Sequence, residues 1–107
     1  MITNETKKLV AQAILEELKN AQSFGEFYNS PHEGWAVLKE EVEEARENLA
    51  AVENYLQKAW DNIRKNDSEE LTANMLSLNS FSLMLIYEAL QVYAVSEKAW
   101  RSFTGEA

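Results

Sequence analysis

Acidic side chains recur at helical spacing in the segment Lys39 to Glu47. Within it Glu40, Glu41 and Glu44 form a Glu-Glu-x-x-Glu pattern. At about 100° per residue, the three side chains fall within an arc of roughly 100° on a helix, with Glu41 closest to the apolar side and Glu40 furthest out. Clustered carboxylates are suitable ligands for Mg²⁺ or Mn²⁺. A glutamate-rich run is also typical of a solvated helix face, so the pattern alone leaves both interpretations open.

A further carboxylate lies in the most apolar part of the chain. Glu88 stands within the segment Phe81 to Val92, and Gln91 follows it by one helical turn. Because an isolated buried charge is very costly, a buried Glu88 must be protonated, paired or bound to a metal. Oxygens from Glu88 and Gln91 suit a hard cation. Alternatively, Glu88 faces the surface or pairs with a lysine or arginine from another helix.

Three helices are predicted to position these groups, because one proline and three glycines argue against a β-rich fold. Ser30 to Glu33 reads as a capping box with proline in the first helical position. Asp67 can cap the last helix, and Thr104-Gly105 can end it. The expected helices run from about Thr3 to Gln22, from Ser30-Pro31 to about Asn66, and from Ser68 to Phe103. We therefore expect one all-α domain over residues 1–107.

The turn near Asn66 makes the second and third helices an antiparallel hairpin. Glu44 lies about 22 residues before this turn (66 − 44) and Glu88 about 22 residues after it (88 − 66). Folding the chain at the turn therefore predicts that the two acidic segments lie at the same level of the hairpin.

Apolar residues of the second helix form a seam with alternating steps of four and three residues, which predicts lengthwise helix packing. The seam consists of Leu38, Val42, Ala45, Leu49, Val52, Leu56, Ala59 and Ile63. The third helix is apolar on most faces between Met75 and Val95, which predicts that it is the most buried element. The shorter first helix can cover only part of the hairpin. We therefore expect two hairpins to form the four-helix core of a homodimer or a higher homo-oligomer.

Charge and composition exclude several functional classes. With 18 acidic and 10 basic residues, the formal charge is −8, which disfavours nucleic-acid polymers and anionic membranes as partners. The absence of cysteine excludes disulfides, cysteine-ligated zinc and thiol catalysis. The N-terminus does not resemble a signal peptide, and Phe81 to Val95 falls short of the roughly 20 apolar residues of a membrane span. These features favour a cytoplasmic protein.

The stretch from Ser30 to Glu44 reads Ser-Pro-His-Glu-Gly-Trp-Ala-Val-Leu-Lys-Glu-Glu-Val-Glu-Glu, and Glu88 to Val92 reads Glu-Ala-Leu-Gln-Val. Together they resemble the MazG-like all-α nucleoside-triphosphate pyrophosphohydrolases, and in particular a phage- and prophage-associated branch. The resemblance implies Mg²⁺- or Mn²⁺-dependent cleavage of a nucleoside triphosphate to the monophosphate and pyrophosphate. The residues implied to hold the metal are Glu40, Glu41, Glu44, Glu88 and Gln91. Glu41 is also implied to orient the attacking water.

Other residues are weaker candidates. Gln91 stands where the family pattern has aspartate, and a neutral amide is a poorer metal ligand. Trp35 is the candidate for contact with a nucleobase because it is near the acidic motif, and Lys39 is a candidate for contact with phosphate. For His32 we favour a structural or solvent-exposed role, and for Gly34 the close approach of another backbone. The alternative function is a catalytically silent helical dimer that acts as an interaction or regulatory module.

Overall fold

The computed structural model describes residues 1–105, and these residues form three helices and no strand. Helix α1 spans Asn4–Gln22, helix α2 spans Pro31–Arg64 and helix α3 spans Ser68–Thr104. Helices α2 and α3 pack against each other as an antiparallel pair. The prediction of an all-α fold with a long hairpin and a shorter N-terminal helix is therefore confirmed.

The start of α2 shows why the helix begins at this point. The hydroxyl of Ser30 accepts a hydrogen bond from the backbone N–H of Glu33 at 3.1 Å. The carboxylate of Glu33 in turn accepts bonds from the backbone N–H and the side-chain amide of Asn29, at 3.3 and 3.2 Å. This reciprocal arrangement satisfies donors that a helix N-terminus leaves without intrahelical partners. The capping box is present, with the glutamate reaching one residue further back than Ser30.

The turn between α2 and α3 lies where the sequence predicts it. Asn66 has a φ of 57°, in the left-handed region that asparagine tolerates better than most residues. The N–H of Asp67 donates to the carbonyl of Asn62 at 2.9 Å and closes the end of α2. The Asp67 carboxylate then accepts from the N–H of Glu70 at 3.1 Å, so Asp67 caps α3 as predicted.

One compact unit consists of Met1–Val42 together with Ala89–Ala107. Its small apolar core joins Leu18 of α1 to Ala94, Val95 and Ala99 of α3, each at most 5% exposed. The buried Lys98 ammonium donates to the carbonyl of Ala21 at 2.8 Å. Because the last carbonyls of a helix lack intrahelical partners, Lys98 caps the C-terminal end of α1 and fixes it on α3.

The other compact unit, Glu43–Glu88, contains the hairpin turn. The rings of Tyr55 and Phe81 stack with centroids 5.7 Å apart. The side-chain amide of Asn62 donates to the Oδ1 atom of Asn74 at 2.6 Å. Only Ala59 and Asn74 are buried among the residues of this unit. The hairpin therefore buries no large apolar side chain of its own.

Only part of the apolar seam of α2 is buried. Leu38, Ala45, Val52 and Ala59 are buried or half-buried. The alternate members of the seam, which we call the outer stripe, are Val42, Leu49, Leu56 and Ile63, with exposed fractions of 37%, 44%, 60% and 48%. The half-buried Tyr55 and Asn62 are not part of the seam, but they contact Phe81 and Asn74 of α3. A single neighbouring helix covers only one arc of α2, so the outer stripe remains open.

Helix α3 is also less covered than its sequence predicts. No residue from Met75 to Tyr93 is buried. An 18-residue window of α3 has a mean hydropathy of 1.2 and no buried residue, so by length and composition alone the helix meets the criterion for crossing a membrane. The core helix of a water-soluble assembly meets the same criterion. Helix α3 nevertheless carries more buried residues than α1 or α2 in the described part of the chain, so the expectation that it is the most buried element is confirmed. The burial does not lie in the apolar segment as expected, however, because α1 and α2 leave most of the middle of α3 uncovered.

Candidate metal centre

The hairpin brings carboxylates from α2 and α3 together. Glu44 and Glu88 belong to the same compact unit, and Glu41 stands one turn before Glu44 on the unbroken helix α2. One carboxylate oxygen from each of these three residues lies within 4.8 Å of the other two. All three residues are half-buried. Their acidic oxygens are hard ligands, and this spacing allows them to converge on a divalent cation.

The burial of one Glu88 oxygen gives further information about this group. Among residues 1–105, its Oε2 atom is buried and has no hydrogen-bond partner. A buried polar oxygen without a partner is costly, and such an atom in a native protein calls for an explanation such as a bound ion. The donor set and this oxygen together fit a hard divalent cation held by Glu41, Glu44 and Glu88.

Of the four predicted glutamate ligands, Glu40 is not among the converging carboxylates, and it is exposed. Lys39 places its Nζ atom 5.9 Å from the centroid of the Trp35 ring, and Trp35 is 63% exposed. Trp35, His32 and Pro31 line a shallow depression of about 260 Å³ at the start of α2. Trp35 is thus accessible to a ligand, and His32 is exposed.

Gln91 holds helix α1 to helix α3. Its Nε2 atom donates to the Oε2 atom of Glu17 at 2.5 Å, in a part-buried contact. The predicted metal ligand Gln91 is therefore engaged with a carboxylate of α1. The sequence contained no signal for Glu17, because only the docking of α1 on α3 gives it this neighbour.

Tyr28 is another residue near the acidic motif that the sequence did not single out. Burial raises the pKa of Tyr28 above its ordinary value of 10.0, and the negative charges of Glu33 and Glu41 raise it further. The Lys98 ammonium lies 4.3 Å from the centroid of its ring, a cation–π contact. The backbone N–H of Tyr28 donates to the hydroxyl of Ser102 at 2.8 Å. Tyr28 is therefore fixed at both its backbone and its ring.

The absence of a side chain at Gly34 allows the Tyr28 ring to approach α2 closely. A Cβ atom on Gly34 would lie 3.2 Å from Cδ2 of Tyr28 and 3.2 Å from Cζ of Phe103. The sequence predicted the close approach of another backbone, and the structure corrects this, because two aromatic side chains occupy the space. Gly34 is buried, so the glycine serves packing.

Neither protein-family models nor curated proteins nor solved structures gave a match to this chain. The family resemblance therefore rests on the two acidic motifs and stays a prediction. What the structure adds is the geometry of those motifs, in particular the proximity of Glu44 and Glu88.

Proposed function

We propose that this chain is a Mg²⁺- or Mn²⁺-dependent nucleoside-triphosphate pyrophosphohydrolase of the MazG-like type, active as a homodimer. The products would be a nucleoside monophosphate and pyrophosphate. The observation that carries the proposal is the convergence of Glu41, Glu44 and Glu88 within 4.8 Å, with a buried and unpartnered oxygen on Glu88.

The roles of the residues follow from their positions. Glu41, Glu44 and Glu88 would hold the cation. When bound, such a cation neutralises phosphate charge and lowers the pKa of a coordinated water. Glu41, which also acts electrostatically on the Tyr28 phenol, would orient the water for in-line attack. Trp35, exposed beside Lys39, would offer a ring face to the base, and Lys39 would meet the triphosphate.

Metal binding is tested by thermal melting in the presence of Mn²⁺ or Mg²⁺, with and without nucleoside triphosphates. A ligand at 100 times its dissociation constant stabilises the folded state by about 2.7 kcal/mol, so the melting temperature should rise clearly. A melting temperature that neither cation nor any nucleotide changes would contradict the proposal.

Catalysis is tested by measuring pyrophosphate release from a panel of nucleoside triphosphates. Glu41→Gln keeps the shape of the side chain and removes its charge, so we expect a loss of at least about 100-fold, the lower range for a lost acid–base group. Glu47→Gln is the matched control, because Glu47 is an exposed residue of α2 outside the converging group. Equal rates for wild type and Glu41→Gln would end the enzymatic proposal.

The homodimer is supported by the apolar surface that one chain leaves uncovered. In the hairpin unit alone the exposed large apolar residues are Leu49, Leu56, Trp60, Ile63, Met75, Leu76, Leu83, Met84, Ile86 and Tyr87. Exposed apolar surface of this extent marks an interaction site. The outer stripe repeats every seven residues, which is the spacing that packs lengthwise against another helix. Two copies supply two hairpins, and hence the four helices of a closed bundle.

The dimer is tested by sedimentation equilibrium at micromolar concentration. Leu56→Lys places a charge in the middle of the outer stripe and should weaken the dimer at least about tenfold, because a buried unpaired charge is costly. Ala50→Lys is the control, since Ala50 is also exposed on α2 but lies about 100° around the helix from Leu49 of the stripe. A wild-type protein that sediments as a folded monomer would contradict the dimer.

A catalytically silent helical dimer is the second candidate function. The observation that favours it is the neutral Gln91, which takes the place of a carboxylate next to Glu88 and is engaged with Glu17. This alternative predicts a wild-type dimer that binds no cation and releases no pyrophosphate. The melting and activity measurements above therefore separate the two functions.

A further inference from the structure

Two exposed residues of opposite charge flank the outer stripe in the middle of α2. Arg46 lies three residues before Leu49 and Glu53 lies four residues after it, so both stand on the same side of the stripe. They border Leu49 and Leu56, which are 44% and 60% exposed. This part of the unit Glu43–Glu88 therefore carries an arginine and a glutamate beside an open apolar surface.

Neither of these two charges has a partner in the part of the chain that the structure describes. Within residues 1–105 the side chains of Arg46 and Glu53 form no ion pair and no hydrogen bond. Glu53 has no lysine or arginine within four residues on either side, so α2 itself cannot supply an ion pair at helical spacing. Both charges are therefore available to a partner that covers the stripe.

A second copy of the chain supplies the complementary charges when its α2 runs in the opposite direction. A two-fold axis at the midpoint of positions 46 and 53, which is the level of Leu49, puts each Arg46 level with the partner's Glu53. Because a two-fold interface uses the same patch on both subunits, this ion pair forms twice. With the two α2 helices parallel, like charges would stand at the same level and neither pair would form.

The charges also favour α2 over α3 as the contact helix. Helix α3 leaves apolar side chains exposed in the same unit, among them Leu76 and Ile86. Between Leu71 and Tyr87, however, its sequence contains no charged residue that could set a direction of packing. Opposite charges beside an apolar stripe are thus a feature of α2 in this unit, and they match a second copy of the same helix.

We infer that the homodimer is built on an antiparallel contact between the two α2 helices, in which Arg46 of each copy pairs with the partner's Glu53 beside the outer stripe. The inference rests on the proposed function, since it assumes the homodimer, and it adds the contact helix, its direction and its register. Exposed ion pairs contribute little affinity, whereas juxtaposed like charges are costly. The apolar stripe therefore drives association, and the two ion pairs exclude other registers.

The first experiment reverses the charges and measures the dimer dissociation constant by sedimentation equilibrium. Arg46→Glu and Glu53→Arg each place like charges together twice, so each should weaken the dimer at least about tenfold. The double variant with both changes restores the two ion pairs and the net charge, and it should dimerise as tightly as wild type. An effect of net charge alone would instead move the two single variants in opposite directions.

The control for charge reversal is Glu47→Arg. Glu47 is also exposed on α2, but it lies two residues before Leu49 and hence on the opposite side of the helix. It makes the same change in net charge as Glu53→Arg, so it should not weaken the dimer. A loss of affinity in Glu53→Arg that Glu47→Arg does not share is therefore assigned to the contact itself.

The second experiment determines the direction of packing from single introduced cysteines, because the chain contains none. Leu49→Cys lies beside the two-fold axis, so the two thiols should form a disulfide between subunits under mild oxidation. Ile63→Cys lies on the same stripe, but its two copies differ in level by 27 positions, 2 × (63 − 49.5), or about 40 Å at about 1.5 Å per residue. It should not crosslink. Parallel helices would crosslink both variants.

The outcomes separate this inference from the proposed function. If wild type dimerises and the charge reversals leave its dissociation constant unchanged, the inference is wrong and the homodimer stands. The same conclusion follows if Ile63→Cys crosslinks as readily as Leu49→Cys, or if the double variant dimerises as weakly as the single ones. If wild type is a folded monomer, the homodimer fails and the antiparallel contact fails with it.

Discussion

Replacing Glu88 by glutamine should stabilise the metal-free protein and remove its response to metal. Glu88→Gln keeps the shape of the side chain while eliminating one of three charges whose oxygens lie within 4.8 Å of one another. The amide nitrogen of the new residue can also donate to a neighbouring carboxylate, where Glu88 can only accept. Both changes should raise the stability of the folded protein when no cation is present.

The size of the effect follows from the spacing of the oxygens. Two unit charges at 4.8 Å repel by about 0.9 kcal/mol in water and by about 3.5 kcal/mol at an effective dielectric constant of 20. The three residues are half-buried, so we take about 1 kcal/mol for each of the two pairs that include Glu88. The expected gain of about 2 kcal/mol corresponds to a rise in melting temperature of roughly 8 °C or more for a domain of this size.

The assay is thermal melting in EDTA and again with excess Mn²⁺, with Glu47→Gln as the control for loss of an exposed charge. In EDTA, Glu88→Gln should melt above wild type; with Mn²⁺, wild type should rise and the variant should rise much less. A variant that melts below wild type in EDTA would refute the reasoning. It would show that the Glu88 carboxylate is stabilised in the folded chain rather than repelled.

Three further predictions concern contacts that hold the helices together. Tyr28→Phe should make the melting temperature fall less steeply above pH 10 than it does in wild type. Folding raises the pKa of Tyr28, so the stability that its protonated phenol contributes is complete below pH 10.0 and is lost as the pH rises through the raised pKa. Lys98→Met should cost about 2 kcal/mol in urea unfolding because it removes a buried charged donor, whereas Lys19→Met, at an exposed ion pair, should cost less than about 0.5 kcal/mol. Asn74→Ala should cost about 1–3 kcal/mol in urea unfolding by leaving the Asn62 amide without its partner, and replacing both asparagines by leucine should recover part of that loss.

The helices and the relative level of Glu44 and Glu88 could be predicted from the sequence because both depend on local rules. Ser30, Asp67 and the turn at Asn66 mark helix ends through their own side-chain chemistry, and the level of two residues in a hairpin follows from counting along it. The convergence of Glu41 with Glu44 needs only the helical repeat. These parts of the prediction required no knowledge of how the helices rotate about their axes.

The parts that failed depend on helix rotation and on the docking of α1. A regular seam with steps of four and three does not reveal which of its members face the neighbouring helix, so the exposure of Leu49 and Leu56 could not be read from it. The contact between Glu17 and Gln91 joins residues 74 positions apart and depends on the register of α1 along α3. No local pattern in either helix encodes that register.

One face of α3 holds helix α1 through two polar contacts. Towards the C-terminus of α3, this face presents Gln91, whose amide donates to Glu17, and then Lys98, whose ammonium donates to the carbonyl of Ala21. The two contacts with α1 are seven residues apart on α3 and four apart on α1, so each lies on one side of the small core around Leu18. A substitution that loosens the Lys98 contact should therefore free the C-terminal end of α1 and also weaken the hold on Glu17.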